Sequence, residues 1–229
     1  MFLKRLRYEL QVAFGLTSLL PLPALAGFAL LEWLMWHDSS MNSINSFVVT
    51  RDFTLLLPLI SGLSVAHLMS VDKEEGFDEL RQSYVEPLYQ QALWRTLIAL
   101  LLTGTAFGLG WAAYSLVLGI PLPFQWISPS LPPTLYLMGL SLLINHLSGS
   151  YWAASGITLG YWFLEMQPLT RGKLSGAFSL FNAVWGNGSD ARWNTILLCL
   201  MGCFFLGINI FIGQRLRFRP RSRSQPRYE

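Results

Sequence analysis

The chain has 229 residues, of which 52% are apolar and only 13% charged, against about 25% charged in an average soluble domain. A soluble globule cannot wet its surface with so few charges, which excludes that class and points to a bilayer as the main solvent. Net charge is only +3, with nine Trp and fifteen Phe, a composition suited to lipid-facing and interfacial surface.

The first residues, M-F-L-K-R-L-R-Y-E-L-Q, alternate apolar and basic positions, and Phe2, Leu3, Leu6 and Leu10 share one helical face. That pattern predicts an amphipathic helix over 1–12 lying in the interface. The following stretch looks like a signal peptide ending at Ala24-Leu25-Ala26, but its apolar run continues to Trp36, broken only by Glu32. A run of that length is read as an uncleaved span. The predicted spans are Phe14–Trp36, Phe53–Val71, Thr96–Ile120, Thr134–His146, Trp152–Met166 and Thr195–Ile212. Polar or Pro-rich loops are expected at 37–50, 121–133 and 167–193.

Three small-residue stripes are predicted to bring helices close: Gly104 with Gly108, Gly156 with Gly160, and Cys199, Cys203 with Gly207. The two cysteines have no further ligands in their segment and are read as packing residues, not a metal pair.

The tail from Arg215 to Glu229 holds six Arg and one Glu, and Lys4, Arg5 and Arg7 lie near the start. Both ends therefore read as cytoplasmic by the positive-inside rule, which agrees with an even number of spans. Arg171, Lys173 and Arg192 fall on the outer side, against the rule, and the stronger tail outvotes them. The tail at 215–229 is read as meeting anionic headgroups, not nucleic acid.

The stretch from Asp72 to Arg95 has six acidic and three basic residues. It is too polar to span, yet Glu79, Leu80, Ser83, Tyr84 and Leu88 have the spacing of a short amphipathic helix. Such a helix under a membrane domain can dock in a cleft of a soluble partner and carry that partner's motion into the spans. The run Glu74-Glu75-Gly76, Glu79-Leu80, Ser83 and Pro87, between the second and third spans, resembles the type-2 ABC transporter permease. Phe77 stands where that family commonly has a small or hydroxyl residue, and Pro87 comes late.

The resemblance extends to the layout: an interfacial helix, six spans and a longer loop before the last. It implies an all-α polytopic membrane domain over 1–229, in a bacterial plasma membrane. It implies a second permease, identical or a sister chain, and separate ABC ATPase subunits that hold ATP and magnesium. Glu74, Glu75, Gly76, Glu79 and Leu80 would then belong to the coupling helix at 72–95, with the substrate path lined by the first, second and fifth spans. The Walker pattern G-x-x-x-x-G-K-[ST] does not occur in this sequence.

Ionisable residues near the spans are candidate pathway residues. Glu32, Asp52 and Glu165 fall toward the outer ends and are grouped as an acidic vestibule suited to a cationic substrate. Arg51 is expected to pair with Asp52. His67 lies near the inner end of the second span and His146 ends the fourth. Two other classes stay open: an intramembrane enzyme, for which Ser148-Gly149-Ser150 beside His146 lacks a nucleophile elbow, and a haem or quinone carrier using His67 and His146. A sensor built on the permease shape is a third.

Overall fold

The computed structural model describes residues 23–38, 46–71, 88–119, 121–167, 178–181 and 191–215. The expected interfacial helix (1–12), the residues Glu74, Glu75, Gly76, Glu79 and Leu80 of the coupling segment, and all of the basic tail beyond Arg215 lie outside the described residues. The described chain is all-helical. Its helices are α1 (Ala24–Asp38), α2 (Ser46–Val65), α3 (Leu88–Leu118), the short α4 (Phe124–Ile127), α5 (Leu131–Ser148), α6 (Tyr151–Met166) and α7 (Ala191–Arg215). A 3-10 turn, Ser128–Ser130, joins α4 to α5.

Four stretches are long and apolar enough to cross a membrane: Ser46–Val65, Gln90–Leu118, Phe124–Ser148 and Arg192–Ile212. Of the six expected spans, the fifth corresponds to a helix of 16 residues, and the described part of the first to one of 15. At 1.5 Å per residue each rises only about 23 Å, short of a hydrocarbon core of about 30 Å. The described helix of the first begins well inside the expected Phe14–Trp36.

Cross-helix hydrogen bonds fix the direction of every long helix. Glu32 near the end of α1 meets Arg51 at the start of α2, and Tyr114 near the end of α3 reaches Asp52. Thr50 donates to the Trp126 carbonyl of α4, and Trp162 late in α6 donates to the Leu55 carbonyl. Asn194 early in α7 meets the same end through Ser179. At the other end Asn145 of α5 meets Met69, and Asn209 of α7 meets His146 and Thr96. The helices therefore alternate up and down between two poles, called here the acidic pole and the amide pole.

The boundaries differ from the sequence reading in four places. First, α2 starts at Ser46, inside the expected polar loop 37–50, and its polar Thr50, Arg51 and Asp52 are bonded to neighbouring helices. Its regular helix stops at Val65 and not Val71. Residues 66–70 continue as buried turns, with Ala66, Leu68 and Ser70 each bonded to the carbonyl three residues earlier. Second, most of the expected loop 121–133 is helical. Pro129 lies in the first turn of the 3-10 turn and Pro132 and Pro133 in that of α5, where a missing N–H costs nothing, while Pro121 and Pro123 precede α4. Third, residues 88–95, read as the end of the cytoplasmic segment, continue α3, and Arg95 is buried. Fourth, α5 runs to Ser148 and closes on Gly149, whose φ of 63° and bond to the Asn145 carbonyl (2.8 Å) form a left-handed cap. Ser150 then opens α6.

Close helix packing falls on glycines other than those of the expected stripes. A Cβ at Gly202 of α7 would lie 2.8 Å from the Leu135 backbone, and one at Gly139 of α5 would lie 2.9 Å from the Gly202 carbonyl oxygen. The two backbones touch there, as small residues permit in membranes. Gly62 sits under Thr158 of α6, and Gly110 is wedged between Leu25 and Phe53. By contrast a Cβ at Gly104, Gly108, Gly156, Gly160 or Gly207 would meet no neighbour within 4 Å among the described residues. The close-contact faces expected at those stripes are not used among the described residues, whose helices turn other faces toward one another.

One apolar core joins α1, α2, α3 and α5 around Phe53, Leu57, Leu102 and Leu142. A second, around Tyr136, Leu180, Phe181 and Leu198, joins α5, α7 and residues 178–181. Large apolar side chains cover the outside, including Leu116, Trp152, Trp193, Leu200 and Phe204. A water-facing monomer rarely bares so much apolar surface, whereas lipid accepts it. The chain is a membrane protein.

Candidate functional sites at the two poles

At the acidic pole, α2 presents Arg51 and Asp52 in its second turn. The Arg51 guanidinium bonds Glu32 from α1 through Nη2 (2.9 Å) and Asp52 through Nε (2.9 Å). Asp52 is buried, and its other oxygen accepts the Tyr114 hydroxyl of α3 at 2.7 Å. Three helices thus share one network of two carboxylates, one guanidinium and one phenol, with a formal charge of −1 when all are in their ordinary forms. A buried carboxylate is tolerable only with such partners. The expected Arg51–Asp52 pair is present. Glu32 and Asp52, grouped from the sequence, do come together, with Arg51 between them.

Glu165 belongs to a different unit. It is 2% exposed on α6, and its Oε2 accepts the Ser179 hydroxyl at 2.9 Å. Residues 178–181 lie over it, held by Tyr161 Oη to the Phe178 carbonyl (3.0 Å) and Asn194 Nδ2 to the Ser179 carbonyl (3.0 Å).

At the amide pole the hydrogen bonds form a directed chain. Thr96 Oγ1 donates to the Ala92 carbonyl (2.7 Å). Asn209 Nδ2 donates to Thr96 Oγ1 (3.4 Å), which leaves Asn209 Oδ1 to accept from His146 Nδ1 at 2.6 Å. His146 therefore carries its proton on Nδ1 in this arrangement. Next to it, Asn145 Oδ1 accepts the Met69 N–H at 2.6 Å and fixes the turns that follow α2. His67 is buried in those turns, where its carbonyl accepts the Ser70 hydroxyl. Val71 and Leu88, which bracket the acidic 72–87 stretch, both belong to the ends of elements at this pole.

Sequence reasoning named Glu32, Asp52, His67 and Glu165 but missed Tyr114, Arg95, Thr96, Asn145, Ser179, Asn194 and Asn209. The signal for two was available: Asn145 and Asn209 are amides inside apolar runs, where an unpaired polar group is costly. Among the described residues, no group of three His, Cys, Asp or Glu stands close enough to hold a metal ion.

The chain matches no family model, no curated protein and no solved structure.

Proposed function

We propose that the chain is the permease subunit of an ATP-driven exporter of the type-2 ABC class. In this reading it forms six spans with both ends in the cytoplasm, sits in a bacterial plasma membrane and pairs with a second permease. ATP and magnesium are held by separate ATPase subunits, and no covalent chemistry occurs in this chain.

The observation that carries the reading is the acidic, Leu/Tyr-spaced stretch between α2 and α3, joined on both sides to the amide pole. A docked helix at 72–87 would push on Val71 and Leu88. The Asn145–Met69 bond and the Thr96–Asn209–His146 chain tie the α2 turns to α5, and α3 to α5 and α7. A hydrogen-bonded junction of this kind, with the Arg95 side chain buried beside it, suits the passing of motion into the bundle without exposing charge to lipid. Export, not import, follows from the family resemblance alone.

The test is purification from gently solubilised membranes, comparing wild type with Glu79→Lys. The reading expects an ATPase subunit to co-purify in near-stoichiometric amount, and the substitution to release it or uncouple hydrolysis. Absence of any ATPase from the wild-type preparation would sink the reading.

A further inference from the structure

Among the described residues, Glu165 is the sequence-named carboxylate that has a neutral hydroxyl and no guanidinium as its partner. Ser179 is its hydrogen-bond partner, and no cation among the described residues pairs with it. An ionised carboxylate buried in a spanning bundle without a counter-charge is expensive, so the position calls for a positive group that none of the described residues provides.

Its surroundings say what kind of positive group. Tyr161 and Trp162 lie four and three residues before Glu165 on α6, so they flank it on the same helical face. Tyr136 packs with Tyr161 at 5.8 Å between ring centroids, with Phe178 at 6.3 Å and with Phe205 at 5.6 Å. Phe181 meets Trp162 edge-on at 6.4 Å. A carboxylate next to a cluster of aromatic side chains is the chemistry that recognises an organic ammonium, through a charge-assisted hydrogen bond and cation–π contact. A small metal ion would instead want several oxygens, and here the rings outnumber them.

We propose that Glu165, with Tyr136, Tyr161 and Trp162, is a binding site for a protonated amine on an aromatic or apolar molecule. Residues 178–181 close it in this structure. The Ser179 hydroxyl donates to Glu165 where the ligand's N–H would donate, and Phe178 and Phe181 fill the volume its apolar body would take. Binding therefore requires this tetrapeptide to withdraw, breaking the Ser179–Glu165, Tyr161–Phe178 and Asn194–Ser179 hydrogen bonds. As a cargo site the feature rests on the exporter reading. As a binding site it does not, and it is measured with no ATPase or nucleotide present, so the two can fail separately.

The experiment uses the full chain in lipid nanodiscs and rhodamine 6G, a flat cation bearing N–H groups, followed by fluorescence polarisation against empty nanodiscs. Uncharged Nile red is the control. Saturable rhodamine binding to wild type is expected, weakened about tenfold or more by Glu165→Gln, with no saturable Nile red binding. Ser179→Ala keeps the carboxylate and removes the competing donor, so it should bind the cation more tightly. That variant decides the matter if Glu165→Gln does not fold. Wild type that fails to saturate, Glu165→Gln binding as wild type does, or Ser179→Ala binding no more tightly each overturns the proposal.

Discussion

The two poles of the bundle solve the same problem with different chemistry. Each must hold several helix ends together where polar groups meet the edge of an apolar core. The acidic pole uses formal charge: Glu32, Arg51 and Asp52 from two helices, with the Tyr114 phenol from a third. The amide pole is linked through Asn145, His146, Thr96 and Asn209, spread over three helices and closing on the Met69 backbone of a fourth element, with Arg95 buried beside Thr96. Charge gives strong pairing but makes each member dependent on the others. Amides give weaker bonds whose loss leaves only an unpaired dipole.

The sharpest way to break the comparison is at Arg51. Arg51→Leu leaves buried Asp52 without its counter-charge, and the expected loss is about 3–5 kcal/mol, read as a large drop in unfolding temperature in detergent. Removing both charges together, Arg51→Leu with Asp52→Asn, should recover part of that loss. If the double variant is as unstable as the single one, the pole is not held by charge pairing.

Between the poles, Gly202→Ala drives a methyl group into the Leu135 backbone, where neither partner is a flexible side chain. A loss of about 1–3 kcal/mol is expected, readable in the same melting experiment. At the amide pole Asn209→Leu removes one member of the chain and leaves His146 and Thr96 to find new partners, at about 1–3 kcal/mol. This loss should sit clearly below that at Arg51, and equal losses would erase the distinction between the poles. Tyr114→Phe, which deletes one donor to Asp52 and keeps the ring, should cost about 1 kcal/mol.

The smallest effect is at Gly156. Its outward side is open, so Gly156→Ala should gain about 0.5–1 kcal/mol from helix propensity in a monomeric preparation. A destabilised monomer would mean that α6 packs more closely than the structure has it.

The apolar runs, the Arg51–Asp52 pair and the break before α6 were legible in the sequence because each depends on neighbours in the chain. The start of α2 was not, because Thr50, Arg51 and Asp52 look like loop residues until Trp126, Glu32 and Tyr114 are brought to them. Nor was the helical character of 124–133, since prolines read as breakers unless the first turn of a helix is known to begin there. The glycines teach the same lesson most directly. Spacing of four marks a smooth stripe, as at Gly156 and Gly160, but it does not say whether a helix turns that stripe inward. Gly139 and Gly202, on different helices and in no such stripe, are where backbones meet. The charged residues were easy to name because charge is rare in these runs. Their neutral partners, Tyr114 and Ser179, carry no local signal at all.

Only Gly149 and Ser150 separate α5 from α6, and the Asn145 residue that closes α5 also holds the turns after α2. This makes the amide end a fulcrum and α6 a lever, braced against α2 by Thr158 on Gly62 and by Trp162 on the Leu55 carbonyl, whose far end carries Glu165. With 1.5 Å of rise per residue, a tilt of about 10° about that fulcrum would carry the far end of α6 sideways by about 4 Å. That is more than the Ser179–Glu165 hydrogen bond can stretch. A rotation of that size would therefore unlatch the opposite end, and would have to break the Trp162–Leu55 hydrogen bond as it did so.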